Sequence, residues 1–298
     1  MKIISVGEVL WDLIGDEEHL GGAPFNFAAH AKRLGHTVFF ISAVGEDERG
    51  ERILRRMERM TLATQYIRRV KSHPTGIVTV ALDGTGQPHF TIHRPAAYDF
   101  AKLTDSDLQE LQSQRPDWIY FGTLFQMSPQ GKALVRQIIQ ASPVSRHFYD
   151  INLRVNCYEP ELVHELMDFS TIVKLNQEES TEISRMLGFP KSSLEDFCRR
   201  AARQFDLEAV CVTRGSAGCA LFLKSEYVEA EGYQVPVADA VGAGDAFAAA
   251  LLHGIEAGWR PAEIADFANR VGALVASRPG AIPEWSVEEA QALAARRS

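Results

Sequence analysis

The segment Asp239-Ala240-Val241-Gly242-Ala243-Gly244-Asp245-Ala246-Phe247 leads into an apolar helical pattern that ends near Ala257. Small residues at a helix start let an anion approach the backbone, and free N–H groups with the positive end of the helix dipole favour a phosphate there. Asp245 stands beside that position. A carboxylate so placed can take the proton from an attacking hydroxyl while the amides hold the transferring phosphoryl group. The same residues also fit a tight loop-to-helix turn capped by aspartate. Two other phosphate-binding patterns fail. Gly131-Lys132 is followed by Ala133 and has Gln126 where a P-loop needs glycine, and Phe247 stands where a dinucleotide fingerprint needs its third glycine. The four cysteines, Cys157, Cys198, Cys211 and Cys219, show no C-x-x-C spacing, and the nine histidines show no metal-ligand spacing. Neither a zinc site nor a disulfide framework is expected, and the scattered thiols suit a reduced compartment.

The elements that must hold this segment read as α/β. Residues 2–7 form a short apolar run suited to a buried strand. Pro24 opens a helical pattern that runs to Leu34, with Gly35 at its C-terminal cap. A strand over 37–44 follows, then a helix to about Met60 whose Arg49–Arg59 stretch alternates with Glu48, Glu51 and Glu58 as a solvated face. Residues 75–94 alternate in the manner of strands around Asp83-Gly84, a hairpin signal. Beyond residue 104, expected strands at 118–124, 147–152, 171–176, 209–213 and 219–223 alternate with helices at 129–141, 161–169, 178–187, 194–205, 245–257 and 261–277. The pattern predicts a mostly parallel sheet covered by helices on both faces, forming one domain over 1–298, with a small β-sheet lid from segments about 9–22 and 73–97.

Composition bounds the function classes. Of 298 residues 46% are hydrophobic and 23% charged, enough apolar surface to offset chain entropy and exclude disorder. No apolar run approaches the roughly 20 residues that cross a bilayer. Thirty-one Lys and Arg against 39 Asp and Glu give −8, which argues against nucleic acid as a partner. Glu8 interrupts the apolar core that a signal peptide would need, so a cytoplasmic location is expected.

Six segments, in order, resemble the motifs of the ribokinase-like (PfkB) carbohydrate kinases. They are Gly21-Gly22-Ala23-Pro24-Phe25-Asn26, Gly45-Glu46-Asp47-Glu48-Arg49-Gly50, Asp150-Ile151-Asn152-Leu153-Arg154, Asn176-Gln177-Glu178-Glu179, Thr213-Arg214-Gly215-Ser216-Ala217-Gly218 and the Asp239–Phe247 segment. The resemblance implies Asp245 as general base and the amides of Gly242, Ala243 and Gly244 as an anion hole. It implies an ATP site at Asn176, Thr213, Gly215, Gly218 and Asn269, with Glu179 placing Mg²⁺ through water. Asp12, Gly22 and Asn26 would hold sugar hydroxyls, with Arg94 and Arg154 reaching over the sugar or the phosphates. Asp239, with carbonyls near Val275, Arg278 and Gly280, would hold a monovalent cation such as K⁺, although Glu284 falls where relatives have a smaller ligand and Ala240 where many have threonine.

Gly-Gly-Ala-Pro-x-Asn together with Arg94-Pro95-Ala96-Ala97-Tyr98-Asp99 is most similar to fructokinases. The expectation is therefore an ATP- and Mg²⁺-dependent sugar kinase acting on a primary hydroxyl, with fructose the first substrate and a homodimer through the lid. Ribose and 2-keto-3-deoxygluconate are the alternative acceptors. From other classes come a non-catalytic sugar or nucleotide sensor and a dehydrogenase, the latter disfavoured by the failed dinucleotide pattern.

Overall fold

In the computed structural model, which describes residues 1–82 and 88–293, the N-terminal apolar run is strand β1 (Lys2–Val6). Twelve more strands follow among the described residues: β2 (Leu10–Ile14), β3 (Glu17–Gly21), β4 (Thr37–Gly45), β5 (Ile67–Val70), β6 (Gly76–Leu82), β7 (Pro88–Ile92), β8 (Trp118–Gly122), β9 (Arg146–Asp150), β10 (Ile172–Asn176), β11 (Ala209–Thr213), β12 (Cys219–Leu223) and β13 (Glu226–Ala230). The helices are α1 (Ala23–Arg33), α2 (Glu48–Arg59), α3 (Asp105–Gln114), α4 (Thr123–Gln126), α5 (Pro129–Ala141), α6 (Pro160–Asp168), α7 (Gln177–Met186), α8 (Leu194–Gln204), α9 (Ala243–Glu256), α10 (Pro261–Ala276) and α11 (Val287–Ala292).

The large sheet has the order β13-β12-β11-β10-β9-β8-β1-β4-β5. It is parallel from β5 to β11, after which β12 pairs antiparallel with β11 and β13 antiparallel with β12. Its central strands are apolar on both faces because both are covered. Ile3, Trp118, Tyr120 and Phe148 belong to a core with α1, α9 and α10, while Ile4, Ile119, Phe121 and Tyr149 belong to a second core with α5, α6 and α8. This is the expected architecture. From β1 the chain moves outward to β4 and β5, then returns to β8 on the other side and continues to β11. The order therefore reverses between β1 and β8, where the crevice beyond the strands' carboxyl ends is the usual ligand position of such folds.

A second sheet, β3-β2-β6-β7, stands apart from the first. β2 pairs parallel with β6, and β3 and β7 flank them antiparallel. It occupies the two segments expected to form a lid; the Asp83-Gly84 turn lies outside the described residues. Strands β5 and β13 carry no expectation from sequence, and β3 only its place within the 9–22 lid segment, for a shared reason. Each is an edge strand rich in charge, with Glu17-Glu18-His19, Arg68-Arg69, and Glu226 with Glu229, so none shows an apolar period. Cys157 lies in the loop between β9 and α6, and all four thiols are free.

The segment Gly45–Gly50 serves the scaffold. Asp47 caps α2 by accepting from the Gly50 amide at 2.8 Å, and it also accepts from Thr75 N at 2.7 Å and Thr75 Oγ1 at 2.6 Å. One side chain thus ties the start of α2 to the entry of β6. On α2, Ile53 and Met57 are buried, while Arg49 and Arg52 pair with Glu18 on β3. Trp11 packs under Arg52 and donates to the Arg49 carbonyl at 3.2 Å, which is a packing role.

Candidate active site

Helix α9 begins two residues earlier than expected, so Asp245 is in its first turn and not at its tip. Gly242 precedes the helix with φ 79, and a Cβ there would lie 2.2 Å from the Ala281 carbonyl oxygen. Both the left-handed backbone and the contact demand glycine. That carbonyl is held by buried His30, whose Nε2 donates to it at 3.0 Å because Nδ1 accepts from Trp285 Nε1 at 3.0 Å. Burial lowers the His30 pKa to about 4, keeping the ring neutral in this tautomer. The Ala243 amide turns back to the Ala240 carbonyl at 3.4 Å and the Asp245 amide to that of Gly242 at 3.1 Å. Among the described residues, the N–H groups of Gly242 and Gly244 have no partner. The three-amide anion hole expected from sequence thus reduces, in this geometry, to two open donors, with the third closing a turn.

Asp245 is buried and its Oδ2 accepts from Asn26 Nδ2 at 2.8 Å. Asn26 is on α1, where nearly every residue is buried because the helix packs between the sheet and α9. Next to Asp245 lies a cluster that sequence reasoning did not assign. Lys174 on β10 donates to both Asp150 oxygens, at 3.0 and 2.9 Å, and Tyr120 on β8 donates to Asp150 Oδ2 at 2.9 Å. The readable signal is Lys174, a lone charge within the buried apolar run of β10. Burial raises the Asp245 carboxyl to about 7, with the Asp150 charge adding to the rise, while Lys174, Asn26 and Arg154 oppose it. Burial alone would lower Lys174, but Asp150, Asp245 and Glu179 together hold its pKa above the ordinary value.

A cavity of about 320 Å³ reaches Asp245 from the side of the small sheet. Asp12, Gly22, Asn26, Arg154, Asn176, Glu179, Thr213, Asp239, Gly242, Gly244 and Asp245 all line it, so most of the expected site converges. Burial raises Asp12 to about 6, against the pull of Arg154 and His19 and with a further push from Asp239. Gly22 has φ 110, and a Cβ there would come 2.5 Å from the Glu8 carbonyl. Arg94 is not among the lining residues. It is drawn to the buried Asp99 carboxylate, which needs a counter-charge, and donates to the Leu124 carbonyl at 3.0 Å. Arg154 is exposed at the rim, without an ion pair among the described residues.

A second cavity, on the other side of the α9 N-terminus, is lined by Asn176, Thr213, Gly215, Gly218 and Asn269 and shares Asn176, Thr213, Ala240 and Gly244 with the first. Asn269 is buried and donates to the Glu231 carbonyl at 3.1 Å. Asn176 caps α7 by accepting from Glu179 N at 2.8 Å. The Glu179 carboxylate answers, with Oε2 accepting from Asn176 N and Oε1 from Leu153 N, both at 2.7 Å. Asp239 is likewise engaged with backbone: it accepts from Val241 N at 2.9 Å and Gly280 N at 3.2 Å. Glu284 points away to pair with Arg33.

The geometry is two cavities meeting at one helix N-terminus, with a buried carboxylate on one side of the junction. It fits a hydroxyl held in the first and a phosphate chain in the second. A model of the pfkB family of carbohydrate kinases matches residues 2–288. A protein of Pyrococcus horikoshii named as a sugar kinase is 31% identical over 304 residues, covering 95% of this chain and 92% of the relative. A fructokinase of Escherichia coli is 26% identical over 300 residues, covering 94% and 95%. The crystal structure of a fructokinase with bound ATP from Xylella fastidiosa superposes with a TM-score of 0.86 at 21% identity, covering 98% of this chain and 97% of the other.

Proposed function

The chain belongs to the pfkB family of carbohydrate kinases, and from that premise we propose that it transfers the γ-phosphoryl group of ATP to a primary hydroxyl of an uncharged sugar, with fructose preferred. Asp245 accepts the hydroxyl proton, and the open amides of Gly242 and Gly244 hold the phosphoryl group as charge develops on it. The observation that carries this reading is the position of Asp245, buried on Asn26 in the first cavity and next in the chain to Gly244, which both cavities share. Lys174 Nζ lies beside Gly244, 3.5 Å from where a Cβ would stand.

Charge supports an uncharged acceptor. Glu8, Asp12, Asp150, Glu179, Asp239 and Asp245 line the acceptor cavity, against Arg154 and Lys174, and Lys174 is spent on Asp150. A substrate carboxylate would enter that field at a cost. The fructokinase name of a relative at 26% identity points the same way. Arg154, free at the rim, favours the second reading, a sugar acid such as 2-keto-3-deoxygluconate.

Asn176 and Glu179 fit a water-mediated Mg²⁺ site, because each Glu179 oxygen uses one lone pair on a backbone amide and keeps another. The ion would supply charge neutralisation between the β- and γ-phosphates, for which the chain has no P-loop lysine. The Asp239 loop is proposed as the place for a monovalent cation. The exposed Ile14 and Phe90 of the small sheet favour a homodimer through that sheet. Measuring ATP consumption over a panel of sugars tests the assignment. Fructose should exceed ribose, and both should exceed 2-keto-3-deoxygluconate, in kcat/KM. A sugar acid as best substrate, with the preference abolished by Arg154→Ala, would move the assignment to the second reading.

A further inference from the structure

Glu8 follows β1, just before the chain enters the small sheet, and lines the acceptor cavity with Asp12, Asn26 and Asp245. It is only 4% exposed. Its Oε2 has no hydrogen-bond partner among the described residues, and neither has Oδ1 of Asn26. Native interiors rarely leave such atoms unmatched, since each forfeits its hydrogen bonds to water without replacement. Two on the same cavity wall point to a ligand that brings hydroxyls to them.

We propose that Glu8 is a specificity-determining residue of the acceptor site, its Oε2 binding a hydroxyl of the uncharged sugar other than the one that reacts at Asp245. The inference rests on the uncharged-sugar reading above and adds to it a named contact. The backbone already fixes the residue in place, because Gly22 lets its own chain close against the Glu8 carbonyl, where a Cβ would come within 2.5 Å. Burial pushes the Glu8 carboxyl up, against the pull of the Glu8 and Ala23 amides and of Arg154 and Arg94. The carboxyl oxygen offers an acceptor that a sugar hydroxyl can match. A purely structural carboxyl would instead have both oxygens engaged, as Glu179 has.

The role separates from scaffold support by stability and kinetics taken together. Glu8→Met fills the same space without polar atoms, and Glu8→Gln keeps a donor and an acceptor. With the ligand contact as the only task, Glu8→Met should match or exceed the parent in Tm without sugar. It should raise KM for fructose at least tenfold, leave KM for ATP within twofold, and lose the Tm increase on adding fructose. Glu8→Gln should stay within about fivefold of the parent. A monodeoxy fructose that costs the parent at least tenfold in kcat/KM should cost Glu8→Met less than threefold, because the partner is already gone. The proposal is overturned if every monodeoxy sugar costs the parent and Glu8→Met alike, or if both variants lose stability while KM for fructose is unchanged. A parent enzyme that accepts only a sugar acid overturns the uncharged-sugar reading itself, and that result needs no variant.

Discussion

In the proposed reaction Asp245 sets the chemistry at the scale of a single residue. Its Asn26 partner offers only an amide hydrogen, so the carboxylate must lose its own proton before it can take one from a hydroxyl. With burial raising its pKa to about 7, kcat/KM should fall tenfold per pH unit on the acid side of about pH 7, and Asp245→Asn should abolish that limb. The same substitution should lower turnover by roughly 10²–10⁴-fold while ATP affinity changes little. Stability should move oppositely. A raised folded-state pKa means the neutral form is favoured on folding, so that contribution is whole below about pH 4 and is lost as pH rises through about 7. Asp245→Asn should therefore gain stability over the parent at pH 8, by up to ~4 kcal/mol, with the gain vanishing near pH 4 in denaturant melts. Asp12 is also buried and raised, and it faces the acceptor. Asp12→Ala should raise KM for the sugar by one to two orders of magnitude, at roughly 1.4 kcal/mol per tenfold, and leave KM for ATP nearly unchanged in initial-rate assays.

Helix α9 matters as an element through its first turn. Any side chain at Gly242 must displace the Ala281 carbonyl, which the His30–Trp285 hydrogen bonds hold in place, and must adopt a strained positive φ. Gly242→Ala should reduce kcat by at least about 10²-fold, the usual cost of a misplaced oxyanion donor. Its far-ultraviolet circular dichroism should match the parent, because the rest of α9 is packed against α1 and α10. Parental activity would remove the loop from phosphoryl binding. Strand β10 shows the converse case. Lys174 is tolerated inside a buried strand only because Asp150, at the end of the next strand, neutralises it.

The whole molecule joins two sheets of unequal standing. The large sheet buries both faces, while the small one exposes Ile14 and Phe90, the latter at 59%, and reaches the cavity through Leu10, Asp12, Val78 and Ile92. If it closes over the sugar, amide exchange across Leu10–Gly21 and Gly76–Leu82 should slow on saturation with fructose while β8–β10 remain unchanged. Equal exchange with and without sugar would argue for a static wall. The proposed Mg²⁺ also belongs to this scale, since an acidic molecule must receive a tetra-anionic nucleotide. Excess chelator should abolish phosphoryl transfer and added Mg²⁺ restore it; full activity in chelator would exclude the ion from the reaction.

Local residue choice already determined the elements and much of the site. Positive-φ glycines, capping side chains and unbroken apolar runs act within a few residues, so the strands at Ala209–Thr213 and Cys219–Leu223 and the helix at Pro129–Ala141 have the limits the sequence predicts. The motif segments likewise contain Asn26, Asn176 and Asp245, which line one cavity. Tertiary structure decided what depends on distance between segments far apart in the chain. Arg94 is claimed by Asp99, the Ala243 amide by a turn, and both Glu179 oxygens by backbone amides. The Asp150–Lys174–Tyr120 cluster and the unmatched oxygen of Glu8 arise only when β1, β8, β9 and β10 align side by side. Burial and pairing energies belong to that alignment, and the charge state of Asp245 belongs with them, because desolvation is a property of the packed interior and not of any one residue.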